Sequence, residues 1–134
     1  MNNKNVASIQ EIYSAFGRGD IPAILAQVDD DTEWSFNAKT SEVPWYAKFA
    51  GKSALPRFFN DFVQNVELKT FEPRGFVHSG SDVIAHIHLE YKVKKTGKDV
   101  SMDQLHWWTL NPEGKVARLI HFEDTGQVIA AFSG

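Results

Sequence analysis

Apolar positions near the start of the chain recur every three to four residues. Val6, Ile9, Ile12, Tyr13 and Phe16 predict an amphipathic first helix that stops near Gly17 and Gly19. Asp20 is a predicted N-cap, its carboxylate accepting from the free amides of the next turn, and Pro22 is tolerated there because no intrahelical donor is needed. Ile24, Leu25 and Val28 supply the buried face of a short second helix. From Thr32 to Phe36 the pattern alternates, with Trp34 and Phe36 on one side, which predicts a short strand. The stretch 37–50 has no period and carries Trp45, Tyr46 and Phe49, as an irregular covering loop would. The clearest helix follows: Leu55, Phe58, Phe59, Phe62, Val63 and Val66 form one apolar stripe, with Ser53 as its expected cap and Pro56 in its first turn.

Beyond this helix the period changes from 3.6 to 2. Leu68 to Val77 reads as a strand ending in a turn at 78–81, and Val83, Ala85, Ile87, Leu89, Tyr91 and Val93 alternate with polar residues along a second strand. Thr96-Gly97 turns the chain into Val100 to Leu110, and 111–114 turns it into Val116 to Glu123. Asp124 or Thr125 then caps a closing helix bearing Val128, Ile129 and Phe132. The order αα-β-α-ββββ-α predicts an α+β fold, with helices on one face of a curved antiparallel sheet whose concave side can close around a pocket. No linker or repeat divides residues 1–134, so one domain is expected.

Composition narrows the function classes. Ten Phe, four Trp and three Tyr exceed what close packing alone requires, so some should line a cavity. A net charge of −3 argues against nucleic acid, which favours a basic stripe. The cluster Lys92, Lys94, Lys95 and Lys98 reads as a solvated hairpin tip. With no cysteine in the chain, disulfides and thiolate chemistry are excluded. No apolar run has signal-peptide or membrane-span length, which makes a cytoplasmic protein the default expectation.

Three stretches carry a family resemblance across nearly the whole chain: Tyr13-Ser-Ala-Phe-Gly-Arg-Gly-Asp20 with the later Asp31-Thr-Glu-Trp34; Leu105-His-Trp-Trp-Thr-Leu-Asn-Pro-Glu-Gly-Lys115; and Phe122-Glu-Asp-Thr125. In this element order the chain resembles the SnoaL-like branch of the nuclear-transport-factor-2-like superfamily. The resemblance implies a cone-shaped fold around a deep apolar pocket, commonly in a homodimer. It also implies relatives as varied as ketosteroid isomerase-like enzymes, polyketide cyclases, epoxide hydrolases and dehydratases, so it does not imply one reaction. Carried over by position, His106 falls where the isomerases keep an oxyanion-stabilising carboxylic acid, and Phe36 falls where they keep the general-base Asp. Their oxyanion Tyr aligns with Ile12, one residue from Tyr13, and this mismatch argues against steroid isomerisation.

His106 is the leading catalytic candidate. It alternates with Gln104 and Trp108 on the face that the resemblance turns toward the pocket, where a neutral imidazole can donate to a developing enolate or take a proton. The bland alternative is a half-buried His bonded to a neighbouring strand. His121 shares a face with Leu119 and Glu123, and period alone leaves open whether that face or Arg118, Ile120 and Phe122 points inward. If His121 faces inward, as the resemblance implies, the two His form an acid–base pair on adjacent strands. Asp103 could orient His106 only through a bulge, since three residues along a strand normally means opposite faces. Trp34, Phe36, Trp45, Tyr46 and Trp108 are candidates for the pocket wall, with Gln104 and Tyr13 beside them, whereas Phe59 and Phe62 read as core. Trp45 and Tyr46 are the expected gate. His86, His88 and Glu90 share a strand face in a metal-like pattern, but that face lies opposite the apolar one, so no metal is expected.

Two function classes follow. One is a cofactor-independent isomerase, cyclase or lyase acting on a small apolar carbonyl compound through His106 and His121. The other is a non-catalytic module that binds a small hydrophobic molecule or dimerises through its outer sheet face. Neither a nucleic acid nor a membrane is an expected partner.

Overall fold

A computed structural model describes residues 3–134. Helix α1 (Lys4–Gly17) starts at Asn3, whose side chain accepts from the Val6 amide, and α2 (Ile21–Leu25) starts at Asp20, which accepts from Ala23. Gly19, at φ 70°, makes the turn between them in the left-handed region that suits glycine. Strand β1 (Val28–Phe36) leads into an irregular segment, the two-residue β2 (Phe49–Ala50) and a 3-10 turn, Lys52–Ala54. Next come α3 (Leu55–Asn65), the strands β3 (Val66–Ser79), β4 (Asp82–Val93), β5 (Asp99–Leu110) and β6 (Val116–Phe122), and the closing helix α4 (Thr125–Phe132).

The six strands form one sheet in the order β2-β1-β6-β5-β4-β3. The β3 to β6 meander is antiparallel, as its turns predict, but β1 joins β6 in parallel. That departure from an all-antiparallel sheet arises because the chain between β1 and the meander crosses over through α3. Along the edge strand β3 the register shifts twice, between Leu68 and Thr70 and between Pro73 and Gly75. Bulges bend a strand and raise its twist, and an edge position tolerates Pro73, which has no ladder donor. The second shift lets Phe71 and Phe76, five residues apart, both reach the Tyr13 ring, at 5.8 and 6.1 Å.

Period-2 patterning then sorts the two faces. In β4, Val83, Ala85, Ile87, Leu89, Tyr91 and Val93 are all buried against the helices. Each of the Val, Ile and Leu side chains among them contributes roughly 1.5–3 kcal/mol on burial.

Four local expectations need correction. Val28 belongs to β1, where it pairs with Val116, because α2 has already ended. Val66 is extended, with φ −134° and ψ 153°, and opens β3 rather than ending α3. Val63 stands on the apolar stripe yet is 60% exposed, at the C-terminal end of α3. Ser53 lies within the 3-10 turn and does not cap α3, which has no side-chain cap. Asp124 does cap α4, accepting from the Gln127 amide. Among the described residues, no helix is long and apolar enough to cross a membrane.

Candidate functional site

The helices and the segment before β2 leave a cavity on the concave face of the sheet, with about 70 Å³ of room for water-sized molecules. Its wall is largely aromatic. Trp34 from β1 meets the edges of Phe58 and Phe59 from α3 at 5.7 and 5.8 Å, and Trp108 from β5 at 5.5 Å. Edge-to-face contacts of this kind favour ring pairs beyond the area they bury.

A directed chain of hydrogen bonds crosses this apolar wall. Nε2 of His106 lies 2.9 Å from Oε1 of Gln104, which can only accept, so Nε2 carries the ring proton. Nδ1 of His106 therefore accepts, from the Tyr13 hydroxyl at 2.7 Å. Tyr13 in turn accepts from Trp108 Nε1 at 3.0 Å. At the other end the Gln104 amide donates to Glu123 at 2.6 Å, and Tyr46 donates to the second oxygen of the same carboxylate. Both nitrogens of His106 are thus engaged within the protein.

His121 differs. Strand pairing sets it directly opposite His106, with ring centroids 4.7 Å apart. Phe36 stacks on it at 4.0 Å and 6°. Its Nδ1 donates to the Ser35 carbonyl at 3.0 Å, and Nε2 has no hydrogen-bond partner among the described residues. Two further polar atoms of wall residues, Trp34 Nε1 and the Tyr91 hydroxyl, are buried without a partner. Buried unpaired polar atoms are rare enough in native proteins to call for a cause, such as water or a ligand.

Burial sets the protonation states. It holds His121 down at about 4 against a weaker opposing effect of the Ser35 bond. His106 is held well below the ordinary His value by burial and by its neighbour His121. Both rings are therefore neutral at physiological pH. Glu123 is pushed above the ordinary carboxylate value by burial, against the opposing hydrogen bonds from Tyr46 and Gln104. Tyr13, Tyr46 and Tyr91 are all pushed up, chiefly by burial, and remain protonated.

The structure brings most of the predicted site residues together and separates one. Tyr13, Trp34, Phe36, Trp45, Gln104 and Trp108 line the cavity with both His. The one-residue ambiguity at Ile12 and Tyr13 ends with Tyr13 bonded to His106. Asp103 is not brought to His106. No register shift interrupts the β4–β5 pairing, so strand alternation leaves Asp103 on the outer face, bonded to His86 and His88 at 3.1 and 2.7 Å. Tyr46 reaches the site through Glu123 rather than through the wall. Trp45 is buried, packed on Phe62 and Phe132 as part of the wall. Phe59 and Phe62, read as core, line the cavity.

Sequence reasoning passed over Glu123 and the Tyr91 hydroxyl as site groups. For Glu123 a signal existed, since it lies two residues from His121 on one strand face. Tyr91 carried no such mark among the apolar residues of β4. On the outer face His88 also bonds Glu90, at 2.6 Å, and these carboxylates raise its pKa. No group of three or more such side chains among the described residues is placed to hold a metal.

Comparison with solved structures finds this fold repeatedly. An NTF2-like protein of unknown function from Burkholderia pseudomallei superposes with a TM-score of 0.89 at 20% identity, covering 99% of this chain and 100% of that one. An NTF2-like protein from Burkholderia xenovorans gives 0.87 at 26% identity, covering 97% and 96%. TerC, co-crystallised with polyporic acid, gives 0.82 at 22% identity, covering 98% and 100%. No curated protein matches the chain. The family model for the SnoaL-like domain matches residues 9–119, and the chain belongs to that family.

Proposed function

We propose that the cavity binds a small, mainly apolar carbonyl compound and that His121 moves a proton on it. The observation that carries this reading is the Nε2 of a buried, neutral His121, without a hydrogen-bond partner among the described residues, in a cavity whose wall also holds two buried unpartnered polar atoms. Nε2 takes a proton from the carbon next to the carbonyl, giving an imidazolium and an enolate. The Trp34 N–H, on a ring whose centroid lies 6.5 Å from that of His121, is a donor free to hold the enolate oxygen, and the largely apolar wall strengthens that hydrogen bond. Return of the proton to another carbon completes an isomerisation. A base whose conjugate acid titrates at about 4 suits an activated carbon acid, such as one flanked by two carbonyls. His106, tied at both nitrogens, positions Tyr13 and Gln104 rather than reacting. Ligand binding in this fold is supported by TerC and its polyporic acid.

The test is exchange of the α-protons of 1-phenylbutane-1,3-dione for deuterium in D2O, followed by NMR, with binding read separately by tryptophan fluorescence. Exchange above the buffer rate, falling at least about a hundredfold in His121→Phe while the ketone still binds, is the expected result. Binding with no exchange above buffer would leave the non-catalytic binder. That second reading is favoured by one observation: among the described residues His121 bonds to no carboxylate that could raise its basicity.

The outer sheet face supports a dimer. Ile84, Trp107 and Ile120 are cross-strand neighbours in one row, flanked by exposed Val77 and Leu105. A second copy of the chain covering this row would remove that apolar surface from water. Light scattering is expected to return twice the chain mass, and Leu105→Asp to shift it toward one chain. A wild-type monomer at micromolar concentration would overturn the dimer.

A further inference from the structure

We infer that the ligand is an elongated amphiphile, with its polar head in the cavity and an uncharged apolar arm running out between α1, α3 and β3. This rests on the ketone-binding reading above and extends it to the shape and class of the substrate.

Three observations lead there. First, about 70 Å³ of inner room holds only a few water-sized groups, whereas sites for organic ligands commonly run to hundreds of Å³. Second, an open groove of about 700 Å³ lies against that cavity, and the two share the rings of Tyr13, Phe16, Phe59, Phe62 and Phe71. These rings form an aromatic collar with one edge on the buried polar groups and the other on the groove. Third, among the described residues the groove carries no charged side chain, and its outer part holds Val63 and Leu68, which are 60% and 39% exposed. Exposed apolar residues at the mouth of an apolar channel lose that cost when a ligand covers them.

The head must be polar because Trp34 Nε1, the Tyr91 hydroxyl and His121 Nε2 lack partners inside. The arm must be apolar and uncharged because, apart from Tyr13, only Asn60 among the described residues of the groove has a polar side chain. A compact polar metabolite would leave the groove empty, and a fatty chain without a polar head would leave the inner donors unpaired.

Phenyl alkyl ketones from acetophenone to octanophenone test this, read by quenching of the tryptophans in the cavity wall. Affinity is expected to rise roughly fourfold per added methylene until the groove is filled. Val63→Asp and Leu68→Asp, made separately at exposed positions, are expected to flatten that rise while leaving acetophenone binding unchanged. If acetophenone binds and longer ketones bind no tighter, this inference falls and the ketone-binding reading stands. A rise with chain length that both variants preserve also overturns it, because the arm then lies elsewhere. If no ketone binds at any length, both fall together.

Discussion

Trp108→Ala is expected to cost about 3–5 kcal/mol of stability, a large share of what a domain of this size has. Trp108 is almost fully buried and meets Trp34 and Tyr13 edge-on, at 5.5 and 5.9 Å. Truncation removes most of a large ring from the cavity wall, and the α1 and β1 rings that rest on it cannot close the gap without leaving their own neighbours. It also strips Tyr13 of the donor Nε1, leaving a buried hydroxyl half satisfied next to His106. Trp108→Phe should cost less, since it keeps most of the volume and loses the hydrogen bond. Urea denaturation of the three proteins measures both. A loss under about 1 kcal/mol for the alanine variant would show that the cavity is not held up by this ring.

Lowering the pH from 6.5 to about 4 should remove on the order of 3 kcal/mol through His121 alone. The sign follows from where the protons go. In the unfolded chain His121 titrates near 6.5, while burial holds it at about 4 in the fold. Between those values the unfolded chain takes up a proton that the native state refuses, so stability is full above 6.5 and falls as pH drops toward 4. His106, held well below its ordinary value, acts in the same direction. Two groups oppose it. Glu123, pushed up by burial, adds stability at low pH that is lost as pH rises through its folded value, and His88, raised by Glu90 and Asp103, does the same. Denaturation midpoints across this range, compared with those of His121→Phe, isolate what the imidazole contributes: the variant should show a shallower slope. Equal slopes in the two proteins would mean that the imidazole is solvated in the fold. The same window bears on the proposed proton transfer, which would persist in mildly acidic medium because His121 stays neutral down to about pH 4.

Much of the architecture was legible because helix and strand periods are local. Val6 to Phe16 and Leu55 to Phe62 mark helix faces through spacing alone, and the alternation from Val83 to Val93 marks a strand with one buried side. Alternation put His106 on one face with Gln104 and Trp108, and the family resemblance, rather than the period, turned that face inward, where all three are buried. Boundaries fared worse at Val28 and Val66. There a β-branched residue continues a helical stripe by spacing but is drawn into a strand by long-range pairing with Val116 and Val93.

The site divides along the same line. By itself the sequence determined the fold class, the order of the helices and long strands, the outer face of the His86, His88 and Glu90 triplet, and an aromatic-rich interior without thiol chemistry. Only the tertiary structure decided that His121 faces inward, that both nitrogens of His106 are occupied, and that Glu123 closes the hydrogen-bond chain from Trp108. The reason is that a side chain's face depends on its own strand, within a few residues. Its hydrogen-bond partners and its burial depend on register between segments tens of residues apart, and small differences in pairing energy set that register.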